Sequence, residues 1–306
     1  MGLKQTLNSI WPGRLASGDT IGIVAPASPF DINEFKAGIS MLEMMGFRTY
    51  LPDGLFNKKG YLAGTNSHRA NMINSLFADK SIKAIICARG GFGSMKLLPL
   101  IDFKLIKDNP KFFCGFSDIS VLLCLLYQKT GLVSFHGPMV TSLASATEKT
   151  KRFLSLALAL DIDVDLNPLN GIIINSGFAT GPLMGGNLTS LCHLVGTLFE
   201  PCFKKHLLFL EDKGEPVYKI DRMLTHMKMA GCFDELGGLI LGSFEECGNI
   251  DDIFEIVESI FRKYDIPILG GFEIGHGINN ITVPIGIEAR LETDKQLLSF
   301  SKPDIS

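Results

Sequence analysis

Residues 111–131, KFFCGFSDISVLLCLLYQKTG, contain an apolar segment, a short polar turn and a second apolar segment that ends at Gly131. The first segment is typical of a buried strand and the second of a helix. Ser117 lies at the junction, where a serine is either a helix cap or a nucleophile exposed above a sheet. The pattern G-x-S-x-G is incomplete because Ile119 stands where its second glycine belongs. Taken alone, this stretch favours the cap.

The same alternation of strand and helix extends through the first half of the chain. Strands are predicted over residues 20–28, 47–53, 82–91 and 111–118, and helices over 31–46 and 67–79, with Asp31 and Ser67 as N-caps. This pattern predicts an α/β fold with a doubly wound parallel sheet. In such sheets the ligand crevice lies beyond the carboxyl ends of the strands, where residues 25–28, residues 89–93 and Ser117 are expected.

A domain boundary is predicted near residue 160. A helical run over residues 146–160 leads into the turn-rich segment DIDVDLNPLNG, which is typical of a linker. The residues after it favour strands more than helices. We therefore expect an N-terminal domain over residues 1–160 and a smaller, β-rich C-terminal domain over residues 161–306.

The composition argues against nucleic-acid-binding, membrane-spanning and exported classes of protein. The 306 residues are 46% hydrophobic and 20% charged, with a formal charge of -3 that is spread along the chain. The sequence contains no block of basic residues of the kind that binds nucleic acids. Its apolar runs are shorter than the roughly 18 residues needed to span a membrane. Residues 1–15 lack the pattern of a signal peptide, and the seven cysteines include no C-x-x-C pair. We expect a cytoplasmic protein with reduced thiols.

A glycine-rich turn, CARGGFGSMKLLP, follows the third predicted strand. Gly90, Gly91 and Gly93 can present backbone amides to a phosphate or to an oxyanion. The phosphate interpretation is weak because neither G-x-G-x-x-G nor G-K-[ST] is present. An oxyanion hole fits better, and an ordinary tight turn explains the glycines equally well.

Two later segments supply an acid and a base. Glu211 and Asp212 end an apolar strand in LFLEDKGEPVYKIDR, and His276 lies between two glycines in GFEIGHGINNITVPIG. A carboxylate can orient a histidine that acts as a general base, although most single glutamates are solvated loop residues. His136, in a predicted turn near a strand end, is the competing base. No histidines or acids have the spacing of metal ligands, so no metal is expected.

Seven blocks of the sequence, in this order, resemble the LD-carboxypeptidase family of serine peptidases. They are VAPASP, ARGGFGSMKLLPLIDF, GFSDIS, FHGPM, GGNLTSL, LEDKGEPVYKIDRML and GHGINNITVPIG. The resemblance extends from about residue 18 to residue 291. It implies a flavodoxin-like N-terminal domain, a smaller β-rich C-terminal domain, no cofactor and a homodimer.

The resemblance also implies the site residues. The family's serine, glutamate and histidine correspond to Ser117, Glu211 and His276, and its oxyanion donors correspond to the backbone amides of Gly91 and Asp118. These matches reverse the preference for a cap at Ser117. One departure is Phe92, where many members have tyrosine between the glycines.

The implied reaction is release of the terminal D-alanine from murein tetrapeptides during peptidoglycan recycling. Arg89 is the candidate for binding the free terminal carboxylate, although it could equally brace a loop. Two alternatives stay open at this point. One is a microcin-immunity-type amidase that cleaves peptidyl or aminoacyl nucleotide conjugates with the same triad, and the other is a nucleotide- or flavin-binding protein without hydrolytic activity.

Overall fold

A computed structural model describes residues 9–300, which form two compact units. One unit contains the described residues through Leu160 together with Thr282–Gly286, and the other contains Asp161–Ile281 and the described residues from Ile287 onward. Thr282–Gly286 differs from the expected division, which assigned it to the C-terminal domain. The outermost residues of both expected domains lie outside the described residues, and these include about half of residues 1–15, which lack a signal-peptide pattern.

Fourteen strands and nine helices are assigned within residues 9–300. The strands are β1 (Thr20–Val24), β2 (Arg48–Tyr50), β3 (Ile82–Cys87), β4 (Phe112–Gly115), β5 (Ser134–His136), β6 (Asp165–Leu166), β7 (Ile172–Asn175), β8 (Phe178–Asn187), β9 (Leu207–Lys213), β10 (Gly238–Glu245), β11 (Ile268–Gly270), β12 (Val283–Ile285), β13 (Glu288–Glu292) and β14 (Leu297–Phe300). The helices are α1 (Ile32–Met44), α2 (Asn66–Ala78), α3 (Phe103–Asp108), α4 (Ser120–Thr130), α5 (Val140–Leu143), α6 (Glu148–Leu158), α7 (Leu188–Cys192), α8 (Val217–Met229) and α9 (Ile250–Phe261). Two 3-10 helices, Ser94–Leu100 and Ser117–Ile119, follow β3 and β4.

The sheet of the first unit has the strand order β12-β5-β4-β3-β1-β2. Strands β1 to β5 pair in parallel, whereas β12 pairs antiparallel with β5. The order 2-1-3-4-5 is that of flavodoxin-like folds, with the topological switch between β1 and β3. The central strands are almost continuous apolar runs because both faces of a parallel sheet are covered. The predicted doubly wound sheet is confirmed.

The caps of the first two helices differ in how well the sequence predicts them. Asp31 caps α1 as expected, since its carboxylate accepts hydrogen bonds from the backbone N–H groups of Asn33 and Glu34. Ser67 is the wrong cap for α2. Thr65 caps that helix by accepting a hydrogen bond from His68 N at 3.1 Å. The helix begins at Asn66, so Ser67 already lies inside its first turn.

The second unit is built on a mixed sheet of eight strands in the order β6-β14-β13-β8-β9-β10-β11-β7. Strands β8 to β11 pair in parallel, and the outer strands on both sides add antiparallel pairs. This agrees with the predicted β-rich C-terminal region. Strand β9 lies between β8 and β10, and its side chains are buried from Leu207 through Asp212. None of the helices between residues 9 and 300 has both the length and the apolar character needed to cross a bilayer.

Helix α1 packs closely against α5 at Gly38. A Cβ atom placed on Gly38 would lie 2.7 Å from the carbonyl carbon of Val140 and 2.9 Å from its Cγ1 atom, with the carbonyl oxygen nearer still. By propensity alone, alanine would stabilise the middle of a helix by about 1 kcal/mol relative to glycine. A clash with backbone outweighs that gain, because the two helices must separate.

We therefore expect Gly38→Ala to lower the free energy of unfolding by about 1–3 kcal/mol. Urea unfolding followed by circular dichroism measures the change. Gly13→Ala is the matched control, since a Cβ on Gly13 meets nothing within 4 Å. Equal stability of Gly38→Ala and wild type would contradict the close contact.

Lys111 is a buried cation at the amino end of β4. Its side chain is 7% exposed, and its ammonium group donates hydrogen bonds to the carbonyls of Leu76, at 2.8 Å, and Asp79 at the end of α2. Burial lowers the pKa of Lys111 to about 8. In the unfolded chain the pKa of a lysine side chain is about 10.4. Between pH 8 and pH 10.4 the unfolded state binds more protons at Lys111 than the folded state does, so the free energy of unfolding rises with pH.

We expect wild type to gain on the order of 1 kcal/mol relative to Lys111→Met between pH 8 and pH 9.5. Urea unfolding of both proteins across this interval gives the difference, in which other titrating groups cancel. A difference that is flat or that falls with rising pH would show that Lys111 does not lose its proton in this range.

Candidate functional site

Ser117 follows β4 in a conformation that serine rarely adopts. Its φ is 63°, in the left-handed region, which costs a non-glycine residue about 1–2 kcal/mol. Neither the 3-10 turn Ser117–Ile119 nor α4 has a side-chain cap, so the interpretation of Ser117 as a helix cap is not supported. A strained serine between a strand and a helix is typical of a nucleophile exposed at a sharp turn.

The glycine-rich turn after β3 lies directly against Ser117. A Cβ atom placed on Gly90 would lie 3.0 Å from Ser117 Cβ and 3.2 Å from Ser117 Oγ. Ser28, beyond the end of β1, binds the same turn: its N–H donates to the Gly90 carbonyl at 3.2 Å, and its hydroxyl accepts from Phe92 N at 3.2 Å. The structure thus brings together the three strand ends that the sequence places at the crevice.

Gly91 and Asp118, the predicted oxyanion donors, both belong to this cluster. Gly91 has a φ of 105°, and a Cβ there would lie 2.7 Å from Ser28 Cβ, so the turn needs glycine. The Asp118 carboxylate is buried and accepts a hydrogen bond from Ser94 N at 2.7 Å. Burial raises the pKa of Asp118, and the bonds from Ser94 and Gly93 oppose that effect.

Arg89 and His136, the other predicted residues of the first unit, have different surroundings. Arg89 is exposed and donates from Nη1 to the Pro29 carbonyl at 2.9 Å. His136 is the last residue of β5 and is fully buried, with its ring edge-to-face against Phe116 at 6.0 Å between centroids. The predicted turn at His136 is therefore wrong. A histidine side chain that is fully buried is poorly placed to exchange protons with a substrate.

Glu211 and His276, both in the second unit, form a direct hydrogen bond. The distance from Glu211 Oε2 to His276 Nδ1 is 2.6 Å. Glu211 is fully buried on β9, whereas the His276 side chain is 15% exposed. When Nδ1 donates to a carboxylate, Nε2 becomes the basic nitrogen of the neutral ring. The pair has the geometry of an acid that orients a general base.

The loop around His276 is shaped to admit the Glu211 carboxylate. Gly275 has a φ of 110°, and a Cβ placed on it would lie 2.7 Å from Glu211 Cγ and 2.8 Å from Glu211 Cδ. Asn280 holds this backbone, since its Oδ1 accepts from Gly275 N at 3.0 Å. Sequence reasoning assigned no role to Asn280, although it lies in the block that contains His276.

Asp212, the neighbour of Glu211, is a structural acid. Its carboxylate accepts hydrogen bonds from Thr189 N at 2.9 Å, Thr189 Oγ1 at 2.7 Å and Asn187 Nδ2 at 3.0 Å. Burial raises the pKa of Asp212. These contacts tie the end of β9 to the start of α7 and so fix the strand that carries Glu211. Asn187 lies in the block GGNLTSL, to which the sequence analysis gave no function.

No cluster of three or more histidine, cysteine, aspartate or glutamate side chains suited to a metal ion occurs between residues 9 and 300. The chemistry that the described groups offer is that of a serine, a carboxylate-oriented imidazole and backbone amides. Ser117 belongs to one unit, and Glu211 and His276 belong to the other.

Comparison with known proteins identifies the family. Residues 21–137 match the LD-carboxypeptidase N-terminal domain and residues 180–291 match the LD-carboxypeptidase C-terminal domain. A probable murein peptide carboxypeptidase of Bacillus subtilis is 37% identical over 92% of this chain and 91% of its own. The murein tetrapeptide carboxypeptidase of Pseudomonas aeruginosa is 34% identical over 90% and 94% of the two chains.

A solved structure of similar fold is an MccF-like protein from Bacillus anthracis, with a TM-score of 0.90, 26% identity and coverage of 96% of this chain and 100% of that one. Both family domains match in the expected order, and together they cover well over half of the sequence. The chain therefore belongs to the LD-carboxypeptidase family of peptidases.

Proposed function

We propose that the protein is a serine LD-carboxypeptidase that removes the terminal D-alanine from murein tetrapeptides. The observation that carries the proposal is the 2.6 Å hydrogen bond between Glu211 and His276 in a chain of this family. The left-handed Ser117 beside a glycine turn supports it from the other unit. The relatives named as murein peptide carboxypeptidases support the substrate class.

In the proposed mechanism Ser117 attacks the carbonyl of the bond to D-alanine and His276 takes the hydroxyl proton. His276 then returns that proton to the departing amine, and a water molecule hydrolyses the acyl-enzyme by the same route. Glu211 holds the imidazole in the tautomer with a basic Nε2 and stabilises the imidazolium. Its burial keeps this electrostatic interaction from being screened by solvent.

The proposed oxyanion hole consists of the backbone N–H groups of Gly91 and Asp118. Hydrogen-bond donors of this kind each stabilise a tetrahedral intermediate by about 3 kcal/mol in related reactions. Because they are backbone groups, the replacement of the family's common tyrosine by Phe92 leaves them unchanged.

Arg89 is the proposed ligand of the substrate's free carboxylate. Its bond to the Pro29 carbonyl uses one donor of the guanidinium, and a guanidinium has five, so a bidentate pair with a carboxylate is still available. The exposed position of Arg89 allows a substrate to reach it. Binding of a terminal carboxylate is what distinguishes an exopeptidase.

The second candidate is an amidase that cleaves a peptidyl or aminoacyl nucleotide conjugate with the same three residues. It is favoured by the likeness to the MccF-like structure, because MccF of Escherichia coli is named a microcin C7 self-immunity protein. Separate incubations with a diaminopimelate-containing tetrapeptide and with an aminoacyl nucleotide conjugate, each analysed by mass spectrometry, distinguish the two. Cleavage of the conjugate but not of the tetrapeptide would show that the protein is the amidase.

The proposed carboxypeptidase acts in the cytoplasm, on murein peptides returned for recycling, and as a homodimer. The recycling role and the homodimer extend the family resemblance. Sedimentation of the purified protein gives the oligomeric state, and fractionation of cells that produce the full chain gives its location.

We expect Ser117→Ala, Glu211→Ala and His276→Ala each to lower kcat by several orders of magnitude, since members of a triad act as a unit. D-alanine release from the tetrapeptide measures the loss. His136→Ala is the matched control for His276→Ala and should retain far more activity per folded molecule. Near-normal turnover in His276→Ala, with loss in His136→Ala, would transfer the role of base to His136.

We expect Gly275→Ala to lower kcat by at least about 10-fold, because its methyl group would displace the Glu211 carboxylate from His276 and a misoriented base loses catalytic efficiency. Gly277→Ala is the control on the other side of His276: a Cβ there meets chiefly the hydroxyl of Ser243, 2.7 Å away, which can rotate aside. Full activity in Gly275→Ala would argue against the orienting role of Glu211.

A further inference from the structure

Arg69 is a fully buried arginine on α2 that the proposed mechanism does not use. Its Nη1 atom donates to the carbonyl of Pro26, in the loop after β1, and to the carbonyl of Gly93 at 3.1 Å. Its Nη2 atom donates to Asn66 Oδ1 at 2.6 Å. One side chain therefore joins a helix, the loop after β1 and the glycine turn after β3.

Three hydrogen bonds hold the glycine turn, one before Gly91 and two after it. Before it, the Gly90 carbonyl accepts from Ser28 N. After it, the Phe92 N–H binds Ser28 Oγ and the Gly93 carbonyl binds Arg69. A Cβ placed on Gly93, where φ is 130°, would lie 2.8 Å from Arg69 Nη1. The guanidinium thus packs directly on the turn whose Gly91 amide is the proposed oxyanion donor.

The second proposed donor, the amide of Asp118, is linked to the same guanidinium through the Asp118 side chain. That carboxylate binds Ser94 N at 2.7 Å, one residue beyond Gly93. Burial lowers the pKa of Arg69 and raises the pKa of Asp118, and the attraction between their opposite charges opposes both shifts. Both segments that carry oxyanion donors therefore converge on one buried charge.

A purely structural role accounts poorly for this arrangement. Burying a guanidinium and a carboxylate costs several kcal/mol per ion unless hydrogen bonds compensate, and an apolar pair of similar volume is often as stable. Both hydrogen bonds from Arg69 Nη1 end on backbone carbonyls, those of Pro26 and Gly93 in the loops after β1 and β3, and so they determine backbone position.

We propose that Arg69, acting with the Asp118 carboxylate, is a positioning residue that holds the Gly91 and Asp118 amides in the geometry required to stabilise the oxyanion. This inference rests on the proposed serine mechanism. Donors that are fixed in advance stabilise the transition state without reorganising during the reaction. Loosening them should therefore lower kcat and leave substrate binding largely unchanged.

The test compares Arg69→Met and Arg69→Lys with Lys111→Met. Lys111 is a matched control because it is also a buried cation of the first unit that binds two backbone carbonyls, but at the amino end of β4. Two quantities are measured for each folded variant. They are kcat and KM for D-alanine release from the tetrapeptide, and the affinity for a boronic acid whose boron replaces the scissile carbonyl carbon.

We expect Arg69→Met to lower kcat about 30- to 100-fold, less than the roughly 100- to 1000-fold caused by complete loss of an oxyanion donor, with KM changed less than about 3-fold. Affinity for the boronic acid, which forms a tetrahedral adduct with the serine, should fall in parallel with kcat/KM. Arg69→Lys should recover part of the loss, because lysine keeps the charge but not the fork of donors. Lys111→Met should keep kcat within about 2-fold.

If Arg69→Met does not fold, Asp118→Asn provides the second variant, since it keeps the shape of the side chain and removes its charge. It should lower kcat about 10-fold, and combining it with Arg69→Lys should add little, as expected for two groups that act on the same donors. Additive losses, an unchanged boronic acid affinity or a kcat within about 3-fold of wild type in Arg69→Met would each overturn the inference.

Failure of the proposed function is distinguishable from failure of this inference. If wild type releases no D-alanine but a fluorophosphonate labels Ser117, the substrate assignment is wrong. The labelling rates of the Arg69 variants then test the positioning role directly, with a loss supporting it and unchanged rates overturning it. If wild type is neither active nor labelled, both proposals fail.

Discussion

Parallel pairing of β3 with β1 on one side and β4 on the other is the constraint on which the first unit depends. Parallel neighbours all end at the same edge of a sheet, so the loops after Val24, Cys87 and Gly115 leave it side by side. Backbone hydrogen bonds then join those loops, including the bond from Ser28 N to the Gly90 carbonyl. The position of Ser117 beside the glycine turn follows from this register.

The cluster at that edge combines local strain with extensive support. A serine in the left-handed region costs about 1–2 kcal/mol, and such strain persists only where the surrounding structure enforces the conformation. Here the side chains of Ser28, Arg69 and Asp118 each form a hydrogen bond with the adjoining backbone. Two charged side chains are buried to hold a few peptide groups, which is the arrangement expected where backbone amides must be preorganised.

In the second unit the main constraint is the burial of a carboxylate next to an imidazole. Glu211 lies on the central strand β9 and is surrounded by close-packed backbone. A Cβ on Gly242 would lie 3.2 Å from Glu211 Cβ, and a Cβ on Gly275 would lie closer still, 2.8 Å from Glu211 Cδ. The absence of side chains at both glycines makes room for the acid, and the bond from Asn280 fixes the loop that presents His276. A rigid strand thus orients a more exposed histidine.

The sequence by itself determined the alternation of strands and helices, the strand-to-helix junction at Ser117 and the ordered blocks that identify the family. The first two features depend on local backbone preferences and hydrophobic periodicity, which act over a few residues, whereas the family blocks are recognised by their residues and their order. Packing between distant segments decided the rest. Arg69, in an ordinary helical run, gives no sign that it is buried; His136 lies within a strand; and Thr282–Gly286 returns to the first unit through the pairing of β12 with β5. Only the tertiary structure joins Glu211 to His276, because two residues 65 positions apart meet through packing that no local pattern records.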